Sequence, residues 1–99
     1  MSNSEHLYIV AYDIGDPKRW RAIFKLMKGY GEWLQLSVFQ CRLSARRHAE
    51  MTATLDEIIH HTDDHVVIMD LGPADRVSPK VTSLGKSTFA PVERHAVVV

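Results

Sequence analysis

Asp13 is the residue of this sequence best placed for metal chemistry. It follows a continuous apolar run over residues 7–12 and precedes a Gly-Asp-Pro turn at residues 15–17, so its carboxylate can reach solvent while a buried strand anchors its backbone. Mg²⁺ commonly takes one or two carboxylates together with waters and phosphate oxygens. One carboxylate makes a poor site, but two copies of Asp13 meeting across a two-fold axis could supply the pair. The alternative is that Asp13 only caps the turn.

Basic residues gather in two places, although the chain's twelve Lys and Arg residues balance its twelve acidic ones. A first group, free of carboxylates, comprises Lys18, Arg19, Arg21, Lys25 and Lys28. A second group, at a junction of strand and helix where helix amides already favour anions, comprises Arg42, Arg46 and Arg47. The acidic residues of the middle of the chain are Glu50, Asp56, Glu57, Asp63 and Asp64. We therefore expect a basic face for nucleic-acid phosphates and a separate acidic face; for the first group, plain solvated surface is the alternative.

Other polar residues have structural explanations. Asp16 suits the N-cap of a helix, which leaves little need for a metal role. Ser37 could bind a phosphate or satisfy a backbone group. The histidines at 60, 61 and 65 lack the spacing of a metal site and suit the C-terminal end of a helix. Cys41 is expected to be a buried thiol, and no Gly-rich phosphate loop or GxSxG elbow occurs.

The elements that carry these residues can be read from hydrophobic periodicity. Residues 7–12 predict a central strand, and Asp16 and Pro17 begin a helix whose apolar face is Trp20, Ile23, Phe24 and Met27. Within residues 32–43 the apolar residues switch from one alternating set of positions to the other near residues 36–38. Because side chains of a strand alternate between its two faces, this switch predicts a bend between two short strands. Ser44 is expected to cap a second helix, which runs to about residues 60–61 and has its apolar stripe at Met51, Leu55, Ile58 and Ile59. Residues 65–71 are expected to form the next buried strand, which ends at Gly72-Pro73.

This order predicts a single α+β domain over residues 1–99 with a ferredoxin-like βαββαβ fold. Residues 1–6 are expected to be a flexible tail, and residues 77–84 a short edge strand. The apolar end at residues 96–99 suggests that the segment 85–99 adds a strand to a partner subunit's sheet. Residues 1–6 lack the apolar region of a signal peptide, and no apolar run approaches the roughly 20 residues of a membrane span. We expect a cytoplasmic homodimer.

Four segments of the chain resemble the small Cas-two nuclease family, the second of the two core CRISPR adaptation proteins. They read YIVAYDI at residues 8–14, DPKRWR at 16–21, KGYG at 28–31 and QLSVFQCRL at 35–43. The likeness spans residue 7 to about residue 72, and PVERHAVVV at residues 91–99 is similar to the family's terminal strand between subunits. One departure is Trp33, which stands where relatives usually have a basic residue, and this calls a phosphate contact, and cleavage itself, into question.

The resemblance implies a homodimeric, Mg²⁺-dependent endonuclease of antiviral defence, with Mn²⁺ as an alternative metal, that cleaves single-stranded RNA or double-stranded DNA. It also implies a part in spacer acquisition with the adaptation integrase. Asp13 would be the metal ligand, contributed once by each subunit, with Tyr12, Ser37 and Phe39 around it as catalytic residues. Apart from the resemblance, Phe39 and Trp33 are expected to be core or interface residues and not platforms for base stacking. Lys18, Arg19, Arg21, Arg42, Arg46 and Arg47 would bind nucleic acid. The alternative is a DNA-binding scaffold without turnover that bridges integrase dimers, which the lone carboxylate of each chain favours.

Overall fold

A computed structural model describes residues 4–85 of the chain. The elements follow the order β1 (His6–Asp13), α1 (Pro17–Lys28), β2 (Gly31–Gln35), β3 (Val38–Leu43), α2 (Ala45–Ile58) and β4 (His65–Pro73). The strands form one antiparallel sheet in the order β2-β3-β1-β4. This is the predicted ferredoxin-like α+β fold, with β1 in the middle of the sheet.

Both helices begin where the capping residues predict. The Asp16 carboxylate accepts hydrogen bonds from the backbone N–H groups of Lys18 and Arg19, and Pro17 occupies the first turn, where no N–H is needed. Ser44 accepts from the backbone N–H of Arg47 at the start of α2. The second helix ends at Ile58, so the predicted end near residues 60–61 was about two residues too late. Those two histidines lie beyond the helix.

The bend predicted inside residues 32–43 is a tight turn between β2 and β3. Leu36 lies in this turn with a positive φ of 32°, and the pairing of the two strands shifts register between Trp33 and Gln35. Before the shift Trp33 lies opposite Phe39 in the ladder, and Trp33, Phe39 and Cys41 face the core side of the sheet. The turn also contacts the end of β1, because Tyr12 donates its backbone N–H to the Ser37 carbonyl at 3.1 Å.

The core lies between one face of the sheet and the two helices. Its fully buried side chains are Val10, Ile23, Met27, Phe39, Cys41, Leu43 and Met51. Since side chains alternate along a strand, the neighbours of Tyr8, Val10 and Tyr12 on β1 point to the other face. No helix of the described residues covers that face, which we call the open face. It is apolar in part, because Val67, Met69 and Leu71 of β4 are exposed large hydrophobic residues.

The ends of the described chain differ in part from the expected structure. The edge strand predicted at residues 77–84 was wrong, since that segment is irregular; Pro79 lacks an N–H to donate, and its apolar residues do not alternate. His6 already belongs to β1 and Glu5 accepts a hydrogen bond from Arg42, which shortens the predicted tail. The terminal strand expected at residues 85–99 lies outside the described residues except for Gly85.

Within residues 4–85, no helix is both long and apolar enough to cross a bilayer.

Candidate metal site at the end of the first strand

Asp13 is the last residue of β1 and its side chain is exposed. In the ladder between β1 and β4 it lies directly opposite His65, and its parity places it on the open face. Within residues 4–85, the Asp13 carboxylate makes no side-chain hydrogen bond or ion pair. The same residues contain no group of three or more His, Cys, Asp or Glu side chains that could hold a metal. Asp13 can therefore offer oxygen donors to Mg²⁺, but one chain alone supplies too few ligands.

A buried carboxylate, that of Asp64, holds the loop that follows Asp13. Its Oδ1 accepts from the Gly15 backbone N–H at 2.8 Å and from Arg19 Nη2 at 3.1 Å. Its Oδ2 accepts from Arg19 Nε at 2.7 Å and from the His60 backbone N–H at 2.8 Å. The Arg19 guanidinium, together with the two backbone N–H groups, holds the pKa of Asp64 well below its usual range. Burial acts in the opposite direction but is outweighed. Asp64 is therefore held in its ionised form at neutral pH.

Sequence reasoning missed Asp64, because composition grouped it with the exposed acids of residues 50–64. The structure corrects that placement: its side chain has no exposed surface. The signal available was weak, an acidic residue immediately before a strand. That strand was predicted to be buried, but β4 lies at the edge of the sheet and has no buried residue. Arg19, predicted to bind nucleic acid, is the partner of Asp64, so two of its donor nitrogens already have an acceptor inside the protein.

The first basic group forms a stripe along α1. Lys18, Arg21, Lys25 and Lys28 recur at intervals of three and four residues and are all exposed, spanning about 15 Å of helix at 1.5 Å per residue. Among the described residues, the first three form no ion pair, whereas Lys28 Nζ lies 5.4 Å from the centroid of the Phe24 ring. The stripe begins at the start of α1, just after the loop that follows Asp13, and runs toward the other end of the sheet.

The second basic group lies at that other end. Arg42 pairs with Leu7 in the ladder, six residues before Asp13, which is about 20 Å along an extended strand. Each arginine of the group has a protein partner: Arg42 contacts Glu5 at 3.0 Å, and Arg46 contacts Glu50 at 3.5 Å. Arg47 donates to the Gly29 carbonyl at 3.2 Å and lies over the Tyr30 ring. The structure therefore places the second basic group far from Asp13. If these arginines bind nucleic acid as predicted, they would do so at a different place from the candidate metal site.

Three residues predicted to be catalytic lie beneath Asp13 in the core or at its edge. The assignment of Phe39 as catalytic implies direct contact with a nucleic acid. Phe39 has no exposed surface, so this contact is excluded in this conformation. Tyr12 is 6% exposed and stacks on Phe39; burial raises the pKa of its hydroxyl, which has no hydrogen-bond partner within the described residues. Ser37 accepts a hydrogen bond from Trp20 Nε1 at 2.8 Å. Of the four residues predicted to be catalytic, Asp13 has an exposed side chain without a hydrogen-bond partner within residues 4–85.

The fold and this site define a small ferredoxin-like protein with an exposed acidic residue at the end of its first strand and a basic stripe on the helix that follows. A family model described as CRISPR associated protein Cas2 matches residues 6–77, and the chain belongs to this family. It is 60% identical over 95 residues to the CRISPR-associated endoribonuclease Cas2 of Geobacter sulfurreducens, covering 96% of this chain and 99% of that relative. A second relative, CRISPR-associated endoribonuclease Cas2 1 of Rhodospirillum rubrum, is 56% identical over 98 residues, 99% of this chain and 95% of that protein.

Solved structures support the same assignment. A crystal structure of Cas2 superposes with a TM-score of 0.71 at 33% identity, covering 93% of this chain and 99% of that chain. The Cas2 of Streptococcus pyogenes, crystallised at pH 6.5, gives a TM-score of 0.64 at 29% identity, with coverage of 76% and 99%. The resemblance inferred from four sequence segments is therefore confirmed at the level of the family and of the fold.

Proposed function

We propose that two copies of this chain form a Mg²⁺-dependent endonuclease that cleaves single-stranded RNA, with one Asp13 from each copy at the reacting phosphate. The observation that carries this proposal is the exposed Asp13 carboxylate, which has no partner within residues 4–85 and sits at the end of a buried strand. RNA is the first choice because the relatives described above are named endoribonucleases. Double-stranded DNA is the other substrate to be tested.

The open face gives the physical reason for a dimer. It exposes apolar side chains of β4, including Val67 at 39%, Met69 at 46% and Leu71 at 37%, and a domain this small buries only a modest part of its surface alone. A two-fold interface presents the same patch from both copies. Because Asp13 lies on that same face, a second copy packed there would bring a second carboxylate toward the first.

In this proposal the metal ligand, the phosphate-binding residues and the supporting core residues are different residues of the chain. When bound, Mg²⁺ supplies Lewis-acid polarisation of a phosphate oxygen and a more acidic water. Asp13 would offer its oxygens to the metal, and the exposed Lys18 and Arg21 would hold the phosphate backbone where it passes the start of α1. The basic stripe of α1 would extend that contact along the strand of nucleic acid. The core residues Tyr12 and Phe39 would support the end of β1 without touching the substrate.

An isosteric substitution tests the proposal. Wild type, Asp13→Asn and the control Glu57→Gln, an exposed carboxylate on α2, are incubated with single-stranded RNA and duplex DNA, with Mg²⁺ or with EDTA. We expect Mg²⁺-dependent cleavage by wild type and by Glu57→Gln, and a loss of more than about 100-fold for Asp13→Asn, since even outer-shell partners of a metal cost about 10- to 100-fold. Cleavage that survives Asp13→Asn rules out the metal site.

The dimer is tested separately by light scattering on a sizing column. Met69→Glu places a charge in the apolar patch and is expected to give a monomer, whereas Thr52→Glu, on exposed α2 surface, should leave the dimer intact. A monomer that cleaves as fast as the dimer would contradict the shared site.

A scaffold without turnover is the second candidate, and the absence of any three-donor metal group within residues 4–85 favours it. In that role the dimer would clamp duplex DNA between integrase dimers during spacer acquisition. The two functions separate in one comparison. If wild type and Asp13→Asn cut nothing, yet both bind duplex DNA and support spacer acquisition with the integrase, the scaffold is correct.

A further inference from the structure

The Asp64 carboxylate joins the two loops that border the candidate site. One loop, between β1 and α1, is held through the Gly15 N–H; the other, between α2 and β4, is held through the His60 N–H, both at 2.8 Å. Arg19 of α1 adds a two-pronged contact through Nε and Nη2, at 2.7 and 3.1 Å. The Asp64 side chain therefore links the loop between β1 and α1 to the loop between α2 and β4. We call Asp64 and Arg19 the loop clamp.

The clamp is complete in its hydrogen bonding, which makes it sensitive to small changes. Each oxygen of Asp64 accepts two hydrogen bonds, and the side chain is fully buried. A buried carboxylate is costly unless it is paired and hydrogen-bonded, and removal of one partner leaves the others buried and unsatisfied. The planar fork of arginine matches a carboxylate with two parallel bonds, and lysine cannot reproduce it.

The clamp is adjacent to both residues that meet at the end of the β1–β4 ladder. Gly15 lies two residues after Asp13, and Asp64 immediately precedes His65, the residue opposite Asp13. A shift of either loop would move Asp13 relative to its ladder partner. In an enzyme, a displacement of about 1 Å at a catalytic group can cost on the order of 100-fold in rate.

We propose that Asp64 and Arg19 are positioning residues that hold the Asp13 carboxylate in its working place, an inference that rests on the proposed nuclease function. Arg19 then acts through Asp64, not through phosphate. This assigns Arg19 a different role from Arg21, which is exposed and has no ion-pair partner within residues 4–85.

Two conservative variants with matched controls test the clamp. Asp64→Asn removes the charge with little change of shape, and its control is Asp63→Asn, whose carboxylate is exposed. Arg19→Lys keeps the charge but loses the fork, and its control is Arg76→Lys, an exposed arginine after β4 that has no part in the proposed site. All four are assayed at a temperature where circular dichroism shows them folded. RNA cleavage is measured against both RNA and Mg²⁺ concentration.

We expect kcat to fall about 10- to 100-fold in both clamp variants, the Mg²⁺ concentration at half-maximal rate to rise, and KM for RNA to change less than about two-fold. The controls should match wild type, and the double variant should be no worse than either single one, because both break the same contact. Unchanged kcat in folded Asp64→Asn overturns the inference, as does an Arg19→Lys variant that cleaves like Arg76→Lys.

Backbone order parameters separate this inference from the nuclease proposal. If wild type cleaves no nucleic acid, the proposed function fails, but relaxation measurements by NMR still decide on the clamp. Asp13 makes no hydrogen bond to Asp64 and is distant from it in sequence, so its order parameter should fall in Asp64→Asn only through the loops and stay unchanged in Asp63→Asn. Equal order in both variants would overturn the positioning role whatever the activity.

Discussion

Trp20 donates its indole N–H to the Ser37 hydroxyl at 2.8 Å, joining α1 to the turn between β2 and β3. Ser37→Ala removes the acceptor, and we expect the free energy of unfolding to fall by about 1 kcal/mol, which lowers Tm by about 4–8 °C in a domain of this size. Thermal unfolding followed by circular dichroism measures this, with the exposed Ser78→Ala as control. An unchanged Tm combined with lost cleavage would show that Ser37 meets the substrate.

Gly31 marks a close approach of β2 to β3 that no other residue fits. A Cβ at this position would overlap the Gln40 carbonyl oxygen and lie 2.6 Å from Cys41 Sγ. Overpacking of this kind costs about 1–3 kcal/mol, so Gly31→Ala should lower the denaturant midpoint markedly. At Gly29 a Cβ meets only the Leu26 carbonyl oxygen, at 3.4 Å. Gly29→Ala should therefore leave the midpoint close to that of wild type, and equal effects at both positions would contradict this packing.

The fold was predictable because its local signals agree with one another. Asp16 and Pro17 begin α1, and the change of apolar parity near Leu36 marks the bend between β2 and β3. The wrong edge strand at residues 77–84 came from apolar residues whose spacing does not alternate, in a segment interrupted by Pro79. Periodicity over so few residues does not distinguish a strand from a segment that packs irregularly against a neighbouring surface.

The candidate site was only partly predictable. Asp13 could be found from its place after a buried strand, but the burial of Asp64 depends on two loops that come together only in the folded chain. Phe39 and Tyr12 entered through resemblance to a family, and a family pattern does not say whether a residue touches the substrate or supports one that does. For the same reason the sequence could not separate Arg19, engaged inside the protein, from the exposed Arg21.

Stability should depend on pH at the acid end through Asp64. Its pKa in the folded chain lies well below the ordinary value of about 4 that it regains on unfolding. Below about pH 4 the unfolded chain binds a proton that the folded chain does not, so stability falls as pH falls. Above that range the contribution is fully present and constant. Urea unfolding at pH 6 and pH 3 should show this loss in wild type and a smaller loss in Asp64→Asn; an equal loss in both would place the acid sensitivity elsewhere.

The exposed stripe on α1 should determine the salt dependence of nucleic-acid binding. Each phosphate contact contributes a slope of about −0.9 for duplex DNA, or about −0.7 for single strands, in a plot of log affinity against log salt concentration. Arg21→Ala and Lys25→Ala should each make the slope shallower by up to that amount, because both residues are exposed and lack ion-pair partners within residues 4–85. Glu57→Gln, on the other helix, should leave it unchanged. Fluorescence anisotropy between about 50 and 200 mM salt, the range over which such contacts are resolved, gives the slopes directly. Slopes that stay the same in both alanine variants would show that phosphates bind elsewhere on the surface. The second basic group, which includes Arg42, would then be the next site to test.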